Sequence, residues 1–165
     1  MLSAKIQGWP PRTIDSAAAR RRTRNVLGAE DFIDTAPDYG NSEELIGRFI
    51  AHRRGEYFLA SKAGCPVAVP ADAGPGHVYT PENIRAGVER SLARMHTDYL
   101  DVVQFHGAPP AEQEAGALDT LLELKKAGKL RFIGVSSTMP SLQHHIELGS
   151  FDVFQIPFSV VQPEH

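Results

Sequence analysis

Residues 31–50, DFIDTAPDYGNSEELIGRFI, pass from an apolar strand-like run through a short loop into an amphipathic helix. Phe32–Ala36 is read as a strand buried on both faces, because it lacks clean polar alternation. Asn41 followed three residues later by Glu44 is a capping pattern, and Leu45, Ile46, Phe49 and Ile50 form one apolar stripe. Repeated along a chain, such strand–loop–helix units specify a parallel sheet with right-handed crossovers.

The rhythm does repeat. Further strand-like runs rich in Val, Ile, Phe and Tyr occur at Tyr57–Ser61, Tyr99–Phe105, Phe132–Ser136 and Val153–Phe158. A candidate first strand near Ile6 is short and polar. Thr80 before Pro81 places a cap ahead of a proline at the first helical position, and Ile84, Val88, Leu92 and Met95 follow at near-helical spacing. Another helix carries Leu118, Leu121, Leu122 and Lys125, with Gly128 placed as its left-handed terminator. Pro140-Ser141 opens a short helix that closes near Gly149. The stretch Asp15–Leu27 has a weaker stripe and the run RRRTR, which reads as the solvated face of an outer helix rather than a nucleic-acid patch. Ala63–Tyr79 is the one long loop, rich in Gly, Pro and Ala; a cover over a site and a tolerated surface insertion suit it equally.

Composition narrows the function classes. The chain has 165 residues, 42% hydrophobic and 22% charged, which is ordinary for one globular domain. Its net charge of −3 argues against nucleic acid as a partner, since phosphate binding favours a basic excess. No apolar stretch approaches the roughly 20 residues of a membrane span. The opening MLSAKIQGWPPRT lacks the apolar core of a secretory signal, and Cys65, the one cysteine, has no internal disulfide partner. These features point to a cytoplasmic protein.

Four polar residues stand at or just past strand ends. Asp34 and Tyr39 lie in FIDTAPDYG, Lys62 closes YFLASK, and His106 closes YLDVVQFH. In a (β/α) barrel these ends converge on one face, where active sites sit. An aspartate can hold a lysine charged, and the ammonium can lower a neighbouring phenol from about 10 towards neutrality. A histidine beside the phenol can orient a carbonyl oxygen. Together they could protonate a carbonyl while hydride arrives from another molecule. Singly each has an ordinary reading: a turn cap for Asp34, a turn aromatic for Tyr39, a solvated charge for Lys62, a structural histidine for His106. Two other signals read as structural. His144-His145 has no accompanying ligand set and its adjacent rings should diverge on a helix. Cys65 would need a nearby base to act as a nucleophile.

The segments DFIDTAPDYGNSEELIG, LASKAG, ERSLARMHTDYLDVVQFH, LLELKKAGKLRFIGVSS and FDVFQIPFS resemble the aldo-keto reductases, in order, from about Asp31 to Gln155. The resemblance implies a single partial barrel domain over residues 1–165, an incomplete (β/α)8 TIM barrel of about five to six βα units. It implies NAD(P)H-dependent interconversion of carbonyls and alcohols, with a small carbonyl or alcohol as substrate. Tyr39 would be the general acid, Lys62 would lower its pKa, Asp34 would hold Lys62, and His106 would orient substrate. Ser136, Ser137 and Gln155 would hold the carboxamide of NADP or NAD; the family often has Ser-Asn where this chain has Ser136-Ser137. No metal is implied.

By the same resemblance the chain stops just beyond the sixth strand, at QIPFSVVQPEH, whereas a complete barrel takes about 250 residues. The absent units would supply the cofactor's phosphate grip, and no glycine-rich dinucleotide fingerprint replaces it. A fragment, a pair of copies closing each other's open sheet edges, and a degenerate relative are three expectations. A non-enzymatic interaction module is the competing class, and a metal-dependent barrel hydrolase is disfavoured for want of a ligand set.

Overall fold

Runs of Val, Ile, Leu and Phe with no solvent-facing alternation can be satisfied only by covering both faces of a sheet. In the computed structural model, which describes residues 31–67 and 76–157, this holds for the central strands Phe58–Ala63 and Leu100–His106, whereas at the edges Phe32 is exposed and Val153–Gln155 is half-buried. Five strands, β1 (Phe32–Asp34), β2 (Phe58–Ala63), β3 (Leu100–His106), β4 (Leu130–Ser136) and β5 (Val153–Gln155), form one sheet in the order β1-β2-β3-β4-β5. Every adjacent pair is parallel. Helices α1 (Ser42–Phe49), α2 (Pro81–Arg94), α3 (Ala111–Lys126) and α4 (Ser141–Leu148) fill the crossovers, with a 3₁₀ turn over Ala51–Glu56. This is the expected α/β architecture, a half-barrel of five parallel strands. The candidate strand near Ile6 and the helix Asp15–Leu27 with its arginines lie outside the described residues.

Register divides the sheet into two chemically distinct faces. Ser61 pairs with Val103, Ala63 with Phe105, and these with Ile133 and Val135 on β4. Leu59, Val103, Phe105, Ile133 and Val135 share a fully buried cluster with Ile84, Val88 and Leu92 of α2 and Leu121 and Leu124 of α3. Opposite-facing residues alternate with these. Asp34 pairs with Ala60, Lys62 with Gln104, His106 with Ser136, and Ser136 with Gln155. Because i and i+2 share a face, Asp34, Lys62, Gln104, His106, Ser136 and Gln155 all lie on the side away from the helices. Polar residues therefore concentrate on the concave face.

The helix ends follow local chemistry. Thr80 Oγ1 accepts from the Asn83 backbone N–H, with Pro81 first in α2. Gly128, at φ +77°, closes α3: its N–H donates to Lys125 O and the Lys129 N–H to Leu124 O, a Schellman pair. Gly149 ends α4 in the left-handed region.

Some expectations need correction. Asn41 makes no side-chain cap to α1, whose N-terminus is served instead by the acidic Glu43 and Glu44. The α1 stripe is not all core: Ile46 is buried, while Leu45 and Phe49 are exposed. In α3 the buried positions are Ala117, Thr120, Leu121 and Leu124, and Leu122 faces out. Lys62 lies within β2 rather than beyond it, since the strand runs two residues past the expected end at Ser61.

Candidate functional site

The loop after β1 is built to hold Tyr39 over the strand ends. The Tyr39 N–H donates to Ala36 O, Ser42 N–H donates to Tyr39 O, and Thr35 Oγ1 donates to Ser42 Oγ at 2.9 Å. Gly40 takes φ +59°, where other residues are strained. Tyr39 remains 48% exposed, so its phenol is open to a small molecule.

Beneath it, Lys62 is 2% exposed, and its ammonium is ion-paired to Asp34 Oδ1. A second donor contact reaches Thr35 O at 3.2 Å. A buried lysine is costly unless paired, and here the partner lies on the neighbouring strand. Lys62 Nζ lies 6.0 Å from the Tyr39 ring centroid, and the His106 ring meets Tyr39 edge-on at 5.7 Å. All four expected catalytic side chains are thus gathered at one mouth of the sheet.

Electrostatics adds two facts. Burial, reinforced by the Asp34 and Asp38 carboxylates, pushes the Tyr39 phenol above its ordinary value. That direction is opposite to the one expected from Lys62 alone, because burial and the two carboxylates outweigh the ammonium. Burial, helped by His77 and Lys62, depresses the His106 imidazole against the pull of Asp38 and Asp34, so the ring is neutral at pH 7.

The three expected cofactor contacts also cluster. Gln155 Nε2 donates to Asp34 Oδ2 at 3.0 Å, while its Oε1 is buried without a partner. Ser136 shares a register row with His106 and Gln155, and the Ser137 N–H donates to Gln155 O at 3.0 Å. An orphaned amide oxygen beside two serines is the donor–acceptor complement of a carboxamide, so these residues fit that group.

Sequence reasoning missed Asp38, His77 and Tyr79 at the mouth, and read Cys65 as structural. Asp38 reaches His106 Nδ1 and His77 Nε2, each at 3.4 Å. Cys65 Sγ lies 3.4 Å from His106 Nδ1, and burial pushes this thiol up to about 12. Tyr79 Oη donates to the carbonyls of His106 and Gly107 at 2.7 and 3.1 Å. Asp38 sits four residues past Asp34, in the same loop as Tyr39. His77 had no local signal, being the far end of a long loop. The His144 and His145 rings do not diverge: both Nε2 atoms face Glu114 Oε1, at 3.0 and 3.4 Å.

Comparison with known proteins follows the same line. Residues 8–165 match the Aldo/keto reductase family. The chain is 31% identical over 135 residues to Uncharacterized oxidoreductase YqkF of Bacillus subtilis (strain 168), which covers 79% of this chain and 43% of that protein. It is 30% identical over 145 residues to the NADH-specific methylglyoxal reductase of Escherichia coli (strain K12), covering 79% and 44%. Among solved structures, it resembles aldo-keto reductase AKR11C1 from Bacillus halodurans (holo form), with TM-score 0.69, 28% identity, and coverage of 88% and 50%. The chain spans about half the length of the relatives it matches. No helix among the described residues is long and apolar enough to cross a membrane.

Proposed function

The chain belongs to the aldo/keto reductase family, and on that premise we propose that its concave face serves NAD(P)H-dependent interconversion of small aldehydes or ketones with alcohols. The observation that carries this reading is the buried Lys62, ion-paired to Asp34, below an accessible tyrosine and beside a neutral histidine.

The roles follow from position. The Tyr39 hydroxyl, held protonated across the physiological range, donates its proton to the carbonyl oxygen as negative charge builds there. Lys62 offers the nearest positive charge to the phenolate left behind, and Asp34 fixes the lysine in place. The neutral His106 ring hydrogen-bonds the same oxygen and sets its direction. When bound, the nicotinamide supplies the hydride. Gln155, Ser136 and Ser137 would hold its carboxamide, and Gln155 also steadies Asp34, linking cofactor seat to acid.

The test is fluorescence titration of the purified chain with NADPH and NADH, followed by turnover with methylglyoxal and short aldehydes. The reading expects saturable binding and activity that disappears in Tyr39→Phe. Equal turnover in Tyr39→Phe would remove the tyrosine from the acid role. Absence of any nicotinamide binding would instead favour the interaction-module reading.

A further inference from the structure

We propose that Asp38, Cys65, His77 and His106 form a site for one zinc-class divalent ion at the rim of the sheet. One ligand atom from each lies within 4.8 Å of all the others. The four come from four separate segments: the loop after β1, the turn after β2, the stretch preceding α2, and the last residue of β3.

Distances separate this reading from a plain hydrogen-bond cluster. Cys65 Sγ to His106 Nδ1, His106 Nδ1 to Asp38 Oδ2, and His77 Nε2 to Asp38 Oδ2 each measure 3.4 Å. For the two nitrogen–oxygen pairs that is long for a hydrogen bond, whose usual separation is about 2.9 Å. These three match edges of a tetrahedron whose centre lies about 2.0–2.3 Å from nitrogen, oxygen and sulfur donors, which predicts edges of about 3.3–3.8 Å; the remaining pairs, up to 4.8 Å apart, would draw in on binding. One ring nitrogen, His106 Nδ1, faces both the thiol and the carboxylate. A cation between them would engage both at once. The His77 and His106 rings lie 4.5 Å apart and tilted by 33°, a packing that suits neutral metal ligands better than two imidazolium cations.

The donor set fixes the ion's class. One thiolate, two imidazoles and one carboxylate suit zinc, or cobalt as its spectroscopic substitute, and do not suit magnesium or calcium. Four protein donors complete a tetrahedron and leave no open position for a hydrolytic water. The ion would therefore tie His77 to the strand ends rather than perform hydrolysis. Bound at Nδ1, it would leave the His106 proton on Nε2, which selects one tautomer of a residue shared with the reductase reading. On binding, the Cys65 proton passes to solvent.

The experiment needs neither substrate nor nicotinamide, so its outcome is separate from that of the proposed reductase activity. The chelator-stripped full chain is dialysed against zinc chloride and analysed for metal, then titrated with cobalt chloride. One zinc per chain and a thiolate-to-cobalt charge-transfer band are expected. His77→Ala, on the exposed rim, and Cys65→Ser should each weaken binding by about tenfold or more, and Cys65→Ser should erase the band. His144→Ala, outside the cluster, should change neither. Should Cys65→Ser fail to fold, Asp38→Asn and His77→Ala carry the test. No stoichiometric binding, a missing thiolate band, or binding indifferent to His77→Ala would overturn the proposal.

Discussion

Gln155 and Asp34 stand on opposite edge strands, 121 residues apart, yet their side chains share a 3.0 Å hydrogen bond. Four strand gaps of about 4.8 Å would put them roughly 19 Å apart in a flat sheet. The bond is therefore a direct measure of how strongly the sheet curls. It also leaves the Gln155 acceptor free and its donor committed. Gln155→Ala should weaken NADPH binding by about tenfold, or 1.4 kcal/mol, without changing far-UV circular dichroism. Unaltered affinity by fluorescence titration would remove Gln155 from the carboxamide seat.

Tyr39 and Lys62 make distinguishable kinetic predictions. Tyr39 is half exposed and packs little, so Tyr39→Phe should abolish reduction with under about 0.5 kcal/mol of stability change. Its phenol is the proton donor and is raised above 10, so reduction should be insensitive to this group through neutral pH and fall only on the far alkaline side. In Lys62→Met the Asp34 carboxylate loses its counter-charge beside the phenol. The alkaline limb should then move further upward while the maximal rate drops. A pH–rate profile of both proteins checks the sign.

Asp101 is the most heavily used buried acid in the sheet. Its Oδ2 accepts from the Leu59 N–H at 2.9 Å and from Arg54 at 2.6 Å, and its Oδ1 accepts from Arg131 at 2.9 Å. Both guanidinium groups also lie over the Tyr99 ring, at 4.1 and 4.3 Å. Asp101→Ala strands the part-buried Arg54 and the buried Leu59 amide, which should cost about 2–3 kcal/mol in urea unfolding. Asp101→Asn, which keeps an acceptor, should cost less.

Burial pushes the Tyr79 phenol up, and does the same to Tyr57 against the opposing charge of Arg54. A raised acid binds its proton more tightly folded than unfolded, where tyrosine titrates near 10. That stabilisation is complete below about pH 10 and is lost as pH climbs through the folded values. Urea midpoints should begin to fall above about pH 8.5, where the unfolded Cys65 thiol ionises while the folded one is held up to about 12, and fall more steeply by pH 11 as the tyrosines join it. Tyr79→Phe, which deprives two carbonyls of their donor, should cost about 1–2 kcal/mol at pH 8 and flatten the alkaline fall.

The strand rhythm and the helix ends at Thr80, Gly128 and Gly149 were legible because they depend on neighbours in sequence. So were Asp34, Tyr39, Lys62 and His106, each marked by the end of an apolar run. The exposure of Leu45 and Phe49 was not legible, since a stripe says which residues share a side and not whether anything covers it. The Asp38–Cys65–His77–His106 cluster was invisible for a different reason. Its members belong to four loops or strand ends, which meet across a stagger of two residues per strand, Asp34 lying level with Ala60 and Val102. That stagger is a property of sheet closure rather than of local pattern.

Gly134 tests whether the curl matters to the site. A Cβ there would lie 2.5 Å from the Val153 carbonyl oxygen, 3.1 Å from Val153 Cβ and 3.2 Å from Gln104 Cγ. Backbone oxygen cannot move aside as a flexible side chain can, so β5 must shift away from β4. Gly134→Ala should therefore cost about 1–3 kcal/mol and, by displacing Gln155 two residues along, loosen its bond to Asp34. Gly128→Ala is the control: its φ of +77° predicts a cost of about 1 kcal/mol, with open space around the new methyl. Both variants should melt earlier, but only Gly134→Ala should lose nicotinamide affinity. Equal affinity in the two would mean that the position of β5 does not govern the cofactor seat.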